Sequence, residues 1–223
     1  MTELRTKIIA CQTVGEELGS LLPDHFEMEV LEYGLHNIPE ELHARLQTAI
    51  DRTSPEYGTI LIGYGLCANA VIGIRSRTFR LVIPRADDCI TLFLGSREAY
   101  EQQFRQAPGT FYLTRGWIEC GEDPYTEYCT LRDTYGPDKA YRITKKYIAN
   151  YTRLALITSE HYDSGVYRKY AKMVADRFNL MYEEIPGSDE FLKNLVQAKW
   201  EENFVIVPPG EEVRYEMFYQ LED

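Results

Sequence analysis

Four residues with side chains suited to soft metals stand at matching places in the sequence, each just beyond an apolar run. Cys11 closes "TKIIAC", and His36 follows "FEMEVLEY" within a few residues. Cys67 follows "GTILIG" through "YGL", and Cys89 follows "RLVIP" through "RADD". Thiolates and imidazole are the ligands zinc prefers, and three cysteines with one histidine make a common tetrahedral set. A thiol at a helix start also has its pKa lowered, which favours the thiolate that binds metal or attacks an electrophile. No pair shows the tight C-x-x-C spacing of a local metal motif, so the fold has to bring the four together. Taken singly, a buried cysteine is usually a small hydrophobe, and a histidine before a helix is usually a local hydrogen-bonding residue. The recurrence after four successive runs carries the reading of Cys11, His36, Cys67 and Cys89 as metal ligands. Zinc is the first expectation for the metal, with an iron–sulfur cluster or a corrinoid as alternatives.

Positioning these residues requires strands whose carboxyl ends share one edge. The four runs read as strands separated by a helix from about Val14 to Leu22 and by a second helix in "NIPEELHARLQTAID". In that second helix Asn37 suits the N-cap and Pro39 the first turn, and Leu42, Leu46 and Ile50 share a face. The third and fourth runs are apolar throughout, as strands covered on both faces should be. In an open parallel sheet the ligand crevice lies outside the carboxyl ends of the strands. Gly63 and Gly65 are expected to turn the backbone sharply there through positive φ, which glycine tolerates, and so deliver Cys67 into the crevice. Around the four ligands, Gly63, Tyr64, Gly65, Arg85, Asp87, Asp88, Tyr112 and Trp117 are expected to touch a ligand or support the metal's ligands. Asp87 and Asp88 suit either a helix start or the orientation of a ligating histidine, and Arg85 either a pair with them or an anionic ligand. Phe111, Tyr112 and Trp117 read as packing, or as the wall of a flat-ligand site. Cys120, Cys129, His25 and His43 are left outside the site, and His161 reads as a surface or packing residue or as the one histidine placed to close the cleft from the second half.

Downstream, "GSREAYEQQF" reads as a helix, and residues 122–151 as two helices broken at Gly136-Pro137. Then come "RLALIT", a helix from about Ser164 to Phe178, "LMYEEI", a helix from about Ser188 to Trp200, and "NFVIV". Strands alternating with helices over short connections indicate βαβ units and parallel sheets. The expected class is α/β with parallel-sheet Rossmann-like halves, two lobes around a cleft. Residues 1–110 form the half carrying the Cys/His site, 111–150 a helical, aromatic-rich connector, and 151–223 the second half. One long sheet built from both halves is the competing architecture.

Composition narrows the function. A net charge of -11 in 223 residues argues against a general nucleic-acid surface, whose binding depends on clustered Lys and Arg, and the one mildly basic stretch, "RITKKY", reads as a solvated helix face. No segment approaches the roughly 20 apolar residues of a membrane helix, and the start, "MTELRTKIIACQT", is too polar for a signal peptide, so a cytoplasmic protein is expected. Five cysteines, an odd number, point to reduced thiols rather than a disulfide scaffold. There is no P-loop, no GxGxxG after the first strand, no GxSxG and no kinase signature.

The residues "ILIGYGLC", "VIPRADDCITLFLGS" and "PGTFYLTRGWIE", with "IIAC" and "GLHNIPEEL" upstream, resemble the domain of unknown function 1638 family, found largely in anaerobic bacteria and archaea. The resemblance covers the first half closely and the second half, "YTRLALITSEHYDSG" and "FVIVPPG", more loosely. It implies cysteines at the positions of Cys11, Cys67 and Cys89 and a histidine at His36. A histidine is frequent in the family where this chain has Asp87, so that position need not be a nitrogen ligand. The resemblance also implies an association with corrinoid and methyltransferase systems. The first expectation is therefore a metal-binding protein of anaerobic one-carbon or methyl-transfer metabolism. The alternative is a non-catalytic protein that binds a small ligand of the corrinoid type as accessory to a methyltransferase. Whether the chain is an enzyme is left open.

Overall fold

The computed structural model describes residues 5–219. In chain order the elements are β1 (Arg5–Cys11), α1 (Gln12–Leu18), β2 (Glu27–Leu31), α2 (Pro39–Asp51), β3 (Tyr57–Gly63), β4 (Arg80–Pro84), α3 (Cys89–Leu94) and α4 (Arg97–Gln106). There follow β5 (Thr110–Leu113), α5 (Arg115–Cys120), α6 (Pro124–Tyr135), α7 (Pro137–Tyr147), β6 (Arg153–Thr158), α8 (Gly165–Phe178), β7 (Met181–Pro186), α9 (Glu190–Val196) and β8 (Phe204–Val207). They form two compact units, residues 1–96 with 189–223, and residues 97–188. The division differs from the expected one at 110 and 150. Residues 189–219 belong to the first unit, because β8 completes the first unit's sheet.

That sheet runs β2-β1-β3-β4-β8. The first four strands are parallel, and β8 pairs antiparallel with β4 from Leu81↔Val207 to Pro84↔Phe204. Residues Ile60–Gly63 of β3 and Leu81–Pro84 of β4 are fully buried, as strands covered on both faces must be. The edge strand β2 is wetter, and its acids are used. Lys7, buried on β1, holds Glu29 at 2.9 Å and Glu27 at 3.7 Å, Arg52 also pairs with Glu29, and the Tyr57 hydroxyl donates to Glu27. Burial opposes the Glu29 carboxylate, but the Lys7 and Arg52 bonds outweigh it and hold its pKa below the usual range.

The helix α2 begins at Pro39, which needs no N–H partner at a first helical position, and buries Leu42, Leu46, Ala49 and Ile50. Each such leucine contributes about 2 kcal/mol on burial. The residue at its N-cap is Ile38, without a side-chain bond, rather than the expected Asn37, which lies in a 3-10 turn, Leu35–Asn37. Between β3 and β4 the chain crosses by turns instead of a helix, anchored by the buried Leu66, Val71 and Ile74.

The second unit carries a parallel sheet in the order β5-β6-β7, with a core that includes Leu113, Tyr128, Leu154, Leu156, Val174 and Phe178. Asp123 caps α6 by accepting from the Tyr125 and Thr126 backbone N–H groups. Gly136, at φ 77°, separates α6 from α7 where Pro137 begins the next helix. Arg153, 2% exposed, is compensated on every side: it donates to Glu183 at 2.6 Å, Thr110 at 2.7 Å and the Gln103 side chain at 3.0 Å. Among the described residues no helix is long and apolar enough to cross a membrane.

Candidate functional site

Parallel pairing of β1, β3 and β4 sets the carboxyl ends of three neighbouring strands along one edge, and a cysteine stands at or just beyond each. Two loops are stitched together there. The N–H of Leu66 donates to the Ala86 carbonyl at 2.8 Å, and the N–H of Cys67 to the Asp87 carbonyl at 2.9 Å. This pairing brings the segment bearing Cys67 beside the segment bearing Cys89.

The glycines serve this approach, and not in the way expected. Neither Gly63 nor Gly65 has positive φ. A Cβ on Gly65 would lie 2.4 Å from the Ala86 carbonyl oxygen, and one on Gly63 would lie 2.6 Å from the Ala10 Cβ. Gly65 lacks a side chain because the Ala86 backbone passes too close to admit one, and Gly63 because the Ala10 methyl group fills the space. The left-handed backbone falls instead on Cys67, Ala68 and Asn69, at φ 44°, 56° and 69°. Non-glycine residues resist that region by about 1–2 kcal/mol each, so the segment carrying Cys67 is held under strain by its surroundings. Such strain concentrates at functional sites.

All three thiols are partly buried and free of disulfides. Cys11 and Cys67 pack against the core cluster that contains Tyr64, Leu35 and Leu66. Cys11 is also the N-cap of α1, its Sγ accepting from the Val14 N–H at 3.4 Å. Those backbone bonds lower its pKa as expected for a helix start, but burial wins and pushes the thiol up to about 11. Burial raises Cys67 and Cys89 as well, and the neighbouring thiols add to it: Cys11 acts on both, and Cys67 acts on Cys89. With about 1.4 kcal/mol per pKa unit, ionising Cys11 at pH 7 costs on the order of 5 kcal/mol. Without a nearby cation the cluster is protonated. Among the described residues no three His, Cys, Asp or Glu side chains already stand as a metal-holding group.

Tyr64 belongs to the core cluster against which Cys11 and Cys67 pack. It is 3% exposed, its hydroxyl has no hydrogen-bond partner, and burial followed by Cys11, Cys67 and Cys89 raises its pKa. Asp88 caps α3, accepting from the Ile90 N–H at 2.9 Å. Burial and then the Asp87 charge raise its pKa while His36 lowers it, which sets His36 within electrostatic reach of Asp88. His36 itself lies in the 3-10 turn, its ring edge-on to Tyr33 with centroids 6.3 Å apart. Asp87 accepts from the Tyr219 hydroxyl at 2.8 Å. The sequence offers no signal for Tyr219, which is 132 residues away. Arg85 pairs with neither Asp87 nor Asp88, and its Nε is buried without a partner. Tyr112 and Trp117 belong to the second unit, on β5 and α5. Trp117 and Phe111, both partly buried, pack against that unit's core.

The fold defines an α/β protein in which three cysteines stand at or just beyond the carboxyl ends of adjacent strands of its larger sheet. The chain belongs to the family described as protein of unknown function (DUF1638), which it matches over residues 30–196. The match takes in His36, Cys67 and Cys89 and begins after Cys11. No curated protein and no solved structure matches the chain.

Proposed function

We propose that the carboxyl edge of the first unit's sheet is a thiol metal centre. Cys11, Cys67 and Cys89 hold a zinc ion, with His36 as the fourth group. What supports this reading is that three adjacent parallel strands each carry a cysteine at or just beyond their carboxyl ends, and that the segments bearing Cys67 and Cys89 are joined by the Leu66–Ala86 and Cys67–Asp87 backbone bonds. The donor set is chemically apt for zinc, and three protonated thiols that a cation would convert to thiolates suit a site that orders on loading. Asp88 lies within electrostatic reach of His36, and a carboxylate near a ligating imidazole is the kind of group that orients its ring. A bound zinc supplies Lewis acidity and keeps a coordinated thiol ionised at neutral pH. The chain's own residues set the ligand positions, through the Leu66–Ala86 and Cys67–Asp87 bonds, and exclude water through the packing of Tyr64 and Leu66. A setting in anaerobic one-carbon or methyl-transfer metabolism, in the cytoplasm, is supported by the family resemblance and by five cysteines of which none is in a disulfide.

Elemental analysis with an absorption spectrum, on protein purified without oxygen, tests the reading. About one zinc per chain and no visible band is expected from a four-ligand site, and Cys67→Ser abolishes it. Iron with a broad visible band replaces zinc by a cluster on the same thiols. Protein that takes up no metal even when titrated with zinc removes the centre altogether.

A further inference from the structure

We infer that a cavity between α2 and residues 73–77 binds a small phosphate monoester, whose phosphate is held by Arg75 and Arg77. The inference is independent of the metal reading above, since none of its residues belongs to the thiol edge.

The cavity, about 480 Å³, is lined by His43, Gln47, Asp51, Gly73, Arg75 and Arg77, and falls within the roughly 300–1,000 Å³ of small-molecule sites. Two periodicities build its walls. His43, Gln47 and Asp51 are spaced four apart on α2 and so share a face, beside the face that buries Leu42, Leu46 and Ile50. Gly73, Arg75 and Arg77 alternate with the buried Ile74 and Ser76, the period-two pattern of extended chain.

Backbone bonds tie the walls together. Gln47 grips Arg75 twice, donating from Nε2 to its carbonyl at 2.9 Å and accepting from its N–H at 3.0 Å. His43 Nδ1 lies 3.0 Å from the Ala70 carbonyl oxygen, and because a carbonyl only accepts, Nδ1 carries the proton. From the other side residues 210–213 hold the same segment: the Gly73 N–H donates to the Val213 carbonyl at 2.8 Å, the Val213 N–H to the Ile74 carbonyl at 2.9 Å and the Gly210 N–H to the Ser76 carbonyl at 2.7 Å. The backbone bearing the two arginines is therefore fixed, and their guanidiniums take no part in fixing it.

Both arginines are exposed, and neither pairs with a carboxylate among the described residues, although Arg5, Arg45 and Arg52 of the same unit each do. Asp51, the carboxylate lining the cavity, accepts instead from Gln47 Nε2 at 2.9 Å. Two like charges on one wall repel each other until an anion stands between them, and positive charge along a cleft concentrates anions. Guanidinium forks match phosphate oxygens bidentately, and two of them match the charge of a phosphate monoester. The remaining volume takes the esterified group beside His43, whose Nε2 has no partner among the described residues.

Titration calorimetry on the full chain at constant ionic strength tests this, with ribose 5-phosphate and inorganic phosphate as the probes and ribose as the control. Wild type is expected to bind ribose 5-phosphate saturably, inorganic phosphate more weakly and ribose not at all. Arg75→Gln and Arg77→Gln are each expected to weaken ribose 5-phosphate binding about 10-fold or more, as loss of a hydrogen bond to a charged group does. Arg77→Lys keeps the charge without the fork, and its affinity is expected to fall between those of wild type and Arg77→Gln. Ligand-free melting temperatures of the variants are expected to equal or exceed that of wild type, because neither guanidinium bonds to the protein. Failure of both phosphate probes to saturate at about 10 mM, above the usual range of substrate affinities, overturns the inference. Binding that survives both glutamine substitutions also overturns it, by placing the anion elsewhere. Inorganic phosphate bound as tightly as ribose 5-phosphate overturns the esterified ligand. A variant that loses melting temperature along with affinity overturns the assignment of its arginine to the ligand, because that arginine would then support the fold.

Discussion

Cys11 caps a helix with its sulfur and is nevertheless a weak acid, because burial outweighs the backbone bonds that favour its thiolate. The consequence is a stability profile that differs from that of an exposed thiol. A group whose folded pKa lies above its unfolded value stabilises the fold fully below the unfolded value and loses that contribution as pH rises through the folded one. For Cys11 the window runs from the ordinary value of 9.0 to about 11. Cys67 and Cys89 shift in the same direction. The metal-free protein should therefore lose unfolding free energy over pH 9–11, by about 2–3 kcal/mol for Cys11 alone at about 1.4 kcal/mol per unit. Urea unfolding at stepped pH checks this, with Cys11→Ala as the control that flattens the slope. A profile level through pH 11 would mean the thiols are already accessible to water. The cysteines themselves were legible in the sequence because each follows a recognisable apolar run. Their acidity was not, since a helix start and a buried pocket pull it in opposite directions and only the packing decides between them.

At the scale of elements, the site depends on two loops lying closer than side chains allow. Gly65→Ala places a methyl group 2.4 Å from the Ala86 carbonyl oxygen and must part the loops, breaking the Leu66–Ala86 and Cys67–Asp87 bonds. Overpacking of this kind costs about 1–3 kcal/mol. The expected result is a protein with unchanged helix and strand content by circular dichroism, a lower urea midpoint and lost metal binding. Retained affinity would show that Cys67 and Cys89 do not need this register. The sequence displays both glycines but not their purpose. A glycine required for positive φ and one required for close approach look alike in a sequence, and here the partners are Ala86, about 20 residues onward of Gly65, and Ala10, about 50 residues before Gly63. The strands and helices of the first unit were legible from periodicity and full-length apolar runs. The direction of β8 was not, because "FVIV" reads the same parallel or antiparallel.

The whole molecule has a tryptophan in each unit. Trp117 packs in the second unit's core, and Trp200 donates to the Leu195 carbonyl at 2.7 Å in the first. A metal that binds only the native first unit stabilises that unit by mass action. In single-tryptophan variants, Trp117→Phe and Trp200→Phe, zinc should raise the unfolding midpoint reported by Trp200 fluorescence and leave the midpoint reported by Trp117 in place. Equal shifts would mean that the two units unfold as one cooperative body.

The antiparallel pairing of β8 with β4 also fixes an order of events during synthesis. The side of β4 that β8 covers, at Leu81, Val82, Ile83 and Pro84, has no strand until residues 204–207 exist. At roughly 5–20 residues per second the ribosome needs about 6–24 s to make the intervening 120 or so residues. Throughout that interval the nascent chain presents an apolar sheet edge, the kind of surface on which chains aggregate. The whole second unit is translated while the first still waits to close.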